Sequence, residues 1–213
     1  MVLGFIGGTG PEGLGLATRF AAAGEEVLIG SRTEEKAAEA VKKLKEKLPN
    51  ARVKGVENLE AVEKSDIVFL TVPYKAQKPI LESLNDSLKD KILVHVVVPL
   101  TFEDGIPMAI HLETSAAEEA QGIVPDTKVV STLKAVSAMS LLGLKGIDCD
   151  VIACSDHQDA KEEVMMLVER MKGVRSLDGG PLRNSRTLEA MTPLLLFINK
   201  RYGARTCLKV IGI

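Results

Sequence analysis

The sequence has no tryptophan, aromatic residues make up only 3% of it, and 27 Lys+Arg against 29 Asp+Glu leave a net charge of −2. Nucleic-acid binding needs a basic field and flat rings to stack on, so that class of function loses its footprint. Long apolar runs are also missing: ILVHVVVPL and LLLFI fall far short of the roughly 18 residues that a membrane span requires. The opening MVLGFIGGTG has neither a basic segment ahead of its apolar residues nor a small-residue cleavage site, so it reads as part of the fold and not as a secretory leader. Three cysteines, Cys149, Cys154 and Cys207, cannot complete a disulfide framework and form no C-x-x-C, which points to a reducing cytoplasm. Cys149 and Cys154, five residues apart on one strand, face opposite ways, and His157 falls in the next helix cap, so no metal site is expected.

What is present is ordinary core material: 46% hydrophobic residues in 213, enough for one domain with an appended piece. Apolar runs at Val2–Ile6, Glu26–Gly30, Asp66–Val72 and Lys91–Val98 read as strands buried on both faces. Thr33–Leu48 places Ala37, Val41, Leu44 and Leu48 on one helical stripe, and a short strand near 52–56 and a helix near 59–63 follow. Strands alternating with helices require right-handed crossovers and a doubly wound parallel α/β sheet. Beyond Pro99 the sequence predicts a turn-rich loop, a helix opened by Ser115-x-x-Glu118, and strands near 128–133 and 150–154 that extend the sheet. Asp156 is placed to cap a helix with Val164, Leu167, Val168 and Met171 on one stripe, and Val174–Asp178 is the last strand. Ser185–Tyr202 reads as a helix kinked at Pro193, whose apolar run 194–198 needs a partner surface and predicts a homodimer.

Directly after the first strand stands Gly8-x-Gly10-x-x-Gly13, where strand gives way to helix. In that context Gly8 serves the tight turn, Gly10 lets a pyrophosphate approach the backbone, and Gly13 permits close helix–strand packing. The anion then sits on the helix N-terminus. At the end of the second strand, where NAD enzymes carry a carboxylate for the ribose 2′-hydroxyl, the sequence reads Ser31-Arg32, with Lys36 one turn on. A hydroxyl and two cations suit a 2′-phosphate, so NADP is the expected cofactor. Residues 1–145 are accordingly read as an NADP-binding Rossmann-type domain and 146–213 as a small C-terminal extension that completes a second-substrate pocket. Tyr74 and Lys78 form Y-x-x-x-K, but without the glycine spacing that accompanies such a catalytic pair. Following Val72-Pro73 at the carboxyl end of a strand, Tyr74 is expected to flank the cofactor. His95, inside an apolar strand, is read first as a hydrogen-bonded core residue and only second as a catalyst.

With GGTG, then SRTEEKA, then DGGPLRNSRTLEAMTPLLL, the chain resembles, over essentially its whole length, the NADP-dependent reductases of the deazaflavin coenzyme F-420 (F420). The most specific part is D-x-G-P-L-x-N-S-R, Asp178 to Arg186. The resemblance implies hydride exchange between NADPH and the deazaflavin in a homodimer. It also implies a cofactor site spanning Gly8, Thr9, Gly10, Pro11, Glu12 and Gly13, with 2′-phosphate contacts from Thr9, Ser31, Arg32 and Lys36. A deazaflavin pocket is implied along Leu133–Ala138, including Lys134 and Val136, and around Thr192 and Leu196. Lys134 and Ser137 depart from the residues usual there. Lys134 therefore supports an alternative, an NADP-dependent carbonyl or imine reductase with that lysine as acid. A non-catalytic NADP-binding sensor is the third reading.

Overall fold

The computed structural model describes residues 1–110 and 112–213. From the N-terminus, β1 (Val2–Ile6) leads into α1 (Pro11–Ala22), β2 (Glu26–Ser31) into α2 (Glu34–Lys47), and β3 (Val53–Glu57) into α3 (Asn58–Glu63). Then come β4 (Ile67–Leu70), α4 (Tyr74–Leu88) and β5 (Ile92–His95). A hairpin of β6 (Leu100–Glu103) and β7 (Ile106–Ala109) precedes α5 (Ala116–Ile123) and β8 (Lys128–Ser131). The last elements are α6 (Ala138–Leu141), β9 (Cys149–Ala153), α7 (Gln158–Val168), β10 (Val174–Asp178) and α8 (Ser185–Tyr202).

Six strands form one parallel sheet in the order β3-β2-β1-β4-β5-β8, the Rossmann-type winding the sequence predicts. Alternation divides its side chains between two cores. Leu3, Phe5, Ile29 and Phe69 face α1, where the Phe5 and Phe69 rings stack with centroids 4.7 Å apart and Phe20 of α1 tilts against Phe69 at 5.2 Å. Val68, Leu70 and Leu93 face α4 and α5 through Leu81, Leu84 and Ala120. The first core continues without a break into Cys149, Val151, Val164 and Leu167, so residues on both sides of 145 share it. Arg19 helps weld that junction. Its buried guanidinium donates to the carbonyl oxygens of Ser140, Leu141 and Lys145 at 2.6–3.0 Å, a cation set at the C-terminal end of α6.

The structure departs from the sequence reading in three places. β9 and β10 do not extend the main sheet by a full ladder; they pair in parallel as a separate two-stranded sheet, joined to β8 by one antiparallel bridge, Ser131 to Cys154. The turn-rich loop after Pro99 is a hairpin, with φ positive at both Asp104 (49°) and Gly105 (74°), as a two-residue Asp-Gly turn requires. Asp156 does not cap α7. Its Oδ1 accepts instead from the Leu182 N–H, and His157 occupies the cap position.

Ser115 and Glu118 close the anticipated capping box on α5, and Arg186 of α8 adds a two-pronged ion pair to Glu118, both bonds 2.9 Å. These bonds, that from Arg186 foremost, hold the Glu118 carboxyl down at about 2, below its ordinary 4.5. A depressed carboxyl stabilises the fold above its ordinary value and loses that contribution as pH falls toward 2. Arg186 is half exposed, so screening keeps the contribution to about 1 kcal/mol. Urea unfolding should therefore show Glu118→Gln weaker than the parent at pH 6 and nearly equal to it at pH 2.5; an equal deficit at both would disprove the linkage.

Candidate functional site

The glycines after β1 divide by what surrounds them. A Cβ at Gly8 would lie 2.7 Å from that of Phe5, and one at Gly13 would lie 2.7 Å from the Gly8 Cα, so both are required by close packing. The left-handed residue of the turn is Gly7, φ 69°, not Gly8, and its N–H is held by the Asn58 side chain at 3.1 Å. At Gly10 a Cβ would meet no atom within 4 Å. The protein itself has no packing use for a bare backbone at Gly10, and the open space lies at the N-terminus of α1. There Leu14 is the first residue to bond back, to the Gly10 carbonyl, and Pro11 has no N–H; Glu12 and Gly13 keep first-turn donors for an anion. The site fits a dinucleotide diphosphate.

At the end of β2, Ser31 is buried while Arg32 and Lys36 stand exposed at the start of α2 with no ion-pair partner among the described residues. On the other side of β1, past the carboxyl ends of β4, β5 and β8, opens a cavity of about 250 Å³. It gathers Glu12 and Val72, which the sequence assigns to the cofactor, with Lys134, Val136, Thr192 and Leu196, which the resemblance assigns to the second substrate. Thr192 donates to the Lys134 carbonyl at 2.9 Å, which fixes α8 against this wall. Leu133 adds to the wall with φ 61°, a left-handed backbone that a branched side chain adopts only under constraint.

The next residue belongs to a buried network. Lys134 is buried, and its ammonium donates to Val97 O (2.6 Å) and His95 Nδ1 (3.0 Å) and pairs with Glu189 (3.2 Å). His95 Nε2 in turn meets the Gln77 oxygen at 2.7 Å, and the Gln77 amide donates to Ala116 O at 2.8 Å. Glu189 accepts from the N–H groups of Ala116 and Ala117, closing a ring through α4, β5, α5, α8 and the segment after β8. Burial pushes the His95 pKa well below 6.5, helped by the adjacent ammonium, so the imidazole is neutral and bridges the two sides. All three ammonium donors of Lys134 are thereby spent inside the protein. It lines the pocket with its ammonium tied to these three partners.

Tyr74 stands outside this pocket. Its hydroxyl donates to Glu119 on α5 at 2.7 Å, so it sits in a groove between α4 and α5 with Lys75 and Lys78 and does not line the pocket; Pro73 beside it is exposed at the start of α4. Burial and Glu119 push the phenol up to about 12, and Lys78 lies exposed beside Glu82, so the Y-x-x-x-K spacing makes no acid pair. The D-x-G-P-L-x-N-S-R segment proves to be a launching turn. Asp178 accepts from Gly180 N, Asn184 donates to Gly179 O, and Arg186 grips Glu118, aiming α8 so that Glu189, Thr192 and Leu196 face the sheet. Among the described residues there is no group of three or more metal-ligating side chains and no helix long and apolar enough to cross a membrane.

Comparison with known proteins places this geometry. Residues 2–99 match the family described as NADP oxidoreductase, coenzyme F420-dependent. The F420-dependent NADP reductase of Methanothermobacter marburgensis is 41% identical over 207 residues, 93% of this chain and 92% of its own. That of Methanocaldococcus jannaschii is 38% identical over 213 residues, 96% and 95%. A solved structure from Arthrobacter sp. FB24 superposes with a TM-score of 0.79 at 25% identity, covering 96% of this chain and 94% of that one. An imine reductase of Bacillus cereus shares the fold at a TM-score of 0.67 and 19% identity, with 95% of this chain and 62% of that one covered. On the full-length identity to the archaeal enzymes, the chain belongs to the family of F420-dependent NADP reductases.

Proposed function

We infer that the protein transfers hydride between NADP(H) and coenzyme F420. The observation that carries this reading is full-length identity of about two residues in five to reductases of that name. The site supplies compatible chemistry. Hydride exchange between two flat rings needs them stacked with the reacting carbons about 3–3.5 Å apart, and needs no acid at the reacting carbon. NADP(H), when bound, supplies or accepts the hydride. The turn of Gly8, Gly10, Pro11, Glu12 and Gly13 holds the diphosphate against the free N–H groups of Glu12 and Gly13, while Thr9, Ser31, Arg32 and Lys36 take the 2′-phosphate. Val72 and Pro73 border the nicotinamide. The wall formed by the Lys134 backbone, Val136, Thr192 and Leu196 orients the deazaflavin and excludes water. With the Lys134 ammonium committed elsewhere, the carbonyl or imine reading loses its acid. Mixing the protein with NADPH and oxidised F420 should bleach the deazaflavin absorbance; no bleaching would overturn the function.

The second part of the reading is assembly and setting. Leu194 and Phe197 of α8 and Phe102 and Met108 of the β6–β7 hairpin are all exposed, on elements that pack together. Such a patch supports an isologous homodimer. Three free thiols support a reducing, cytoplasmic setting. Sedimentation at micromolar concentration should give twice the chain mass, and a monomer there would remove the dimer.

A further inference from the structure

Two ionisable side chains line the pocket, Lys134 and Glu12, and the first is fully engaged. Glu12 is half-buried in the first turn of α1, with no hydrogen-bonded or ion-pair partner among the described residues. The only other charged side chain among the described lining residues is Lys134, brought by the segment after β8 with Leu133, Val136, Ser137 and Ala138, and its ammonium is held by Glu189, His95 and Val97. The end of β4 contributes Thr71 and Val72, the segment after β5 contributes Val96, Val97, Val98 and Leu100, and α8 contributes Thr192 and Leu196. The sheet order fixes what Glu12 would meet. With the 2′-phosphate residues at the end of β2 and the diphosphate over β1, the dinucleotide crosses to β4 and β5, and the nicotinamide ring enters this pocket.

The two redox forms of that ring differ by one charge: reduced nicotinamide is neutral and oxidised nicotinamide is a cation. We propose that Glu12 reads this charge, holding a proton beside the reduced ring and releasing it when the ring becomes cationic, so that NADP⁺ binds against a carboxylate and NADPH against a carboxylic acid. The balance is complete. Hydride transfer from NADPH reduces the deazaflavin, which also takes up one proton, while the nicotinamide is oxidised. As the ring gains its positive charge Glu12 gives its proton to bulk water, bulk water supplies the proton that the deazaflavin takes up, and the net charge of acid plus ring stays at zero. The resting state suits the role, since burial pushes the carboxyl up to about 8. The α1 N-terminus favours the carboxylate, but by less than one pH unit, so burial prevails.

This inference rests on the proposed NADP site, and the test separates the two. Both nucleotides carry the same phosphates, so their titration cancels in the ratio of the two dissociation constants. Calorimetric titration with NADP⁺ and with NADPH, in two buffers of different ionisation heat, counts protons directly. At pH 7 the parent should release close to one more proton with NADP⁺ than with NADPH. Its ratio Kd(NADPH)/Kd(NADP⁺) should climb by up to tenfold per pH unit between the Glu12 pKa of the NADP⁺ complex and that of the NADPH complex, and be flat outside that interval. Glu12→Gln should bind both nucleotides with a ratio independent of pH. Equal proton counts in the parent, or a slope surviving in Glu12→Gln, would overturn the role of Glu12. Failure of the folded parent to bind either nucleotide would instead overturn the NADP site. The proton count needs no variant, so a Glu12→Gln protein that does not fold leaves the proposal falsifiable.

Discussion

Lys134→Met lowers the stability of the folded chain by about 3–5 kcal/mol, the usual cost of removing one partner from a buried ion pair. Glu189 keeps its bonds to Ala116 and Ala117 but loses its counter-charge, and His95 Nδ1 and Val97 O lose their donor. Adding Glu189→Gln removes the stranded charge while leaving an acceptor for Ala116, so the double variant should recover part of the loss. Urea unfolding of the parent, the single and the double variant measures this. A single-variant cost under about 1 kcal/mol would show that the ring carries no such energy. The kinetics separate this role from acid catalysis. Turnover per folded molecule should stay within about tenfold, whereas losing a general acid costs roughly 10²–10⁴.

Arg32→Ala should raise the NADPH dissociation constant about ten- to a hundredfold and leave NADH nearly unchanged. The guanidinium is exposed and unpaired among the described residues, so it is available to a phosphate without first breaking a contact. Losing one charge-assisted bond costs about 1.5–3 kcal/mol, which converts to that range. Fluorescence titration with both nucleotides settles the matter, and an equal loss for NADPH and NADH would refute the assignment of Arg32 to the 2′-phosphate.

The nucleotide half of the site was legible because its signals are local. Gly8, Gly10 and Gly13 sit within six residues, and Ser31-Arg32 follows directly from the strand before it. Even there the turn residue was misplaced by one, because G-G-T-G does not say which glycine takes the positive φ; packing of Gly8 against Phe5 decides it. The Lys134 ring was not legible. Gln77, His95, Lys134 and Glu189 come from four distant elements and share no spacing, so only the assembled sheet shows that they meet. The Tyr74 bond was hidden for a related reason: its place after a strand end is readable, but the carboxylate that accepts from its hydroxyl comes from α5, 45 residues away. The hairpin did leave a trace. Asp104-Gly105, flanked by Leu100–Glu103 and Ile106–Ala109, is a strong two-residue turn signal that was passed over.

The closed ring also dictates an order of assembly on the ribosome. Every strand of the main sheet lies within residues 2–131, so the nucleotide-binding half is complete in the chain before α8 exists. Glu189 follows about 60 residues later, which at roughly 5–20 residues per second is several seconds of synthesis. During that interval Lys134 has emerged without its counter-charge, and the N-terminal end of α5 lacks the carboxylate that ties down Ala116. A nascent chain paused there holds all six strands of the main sheet but not the α8 side of the cavity. The cavity is therefore closed only once α8 supplies Thr192 and Leu196, after every strand of the main sheet has been made.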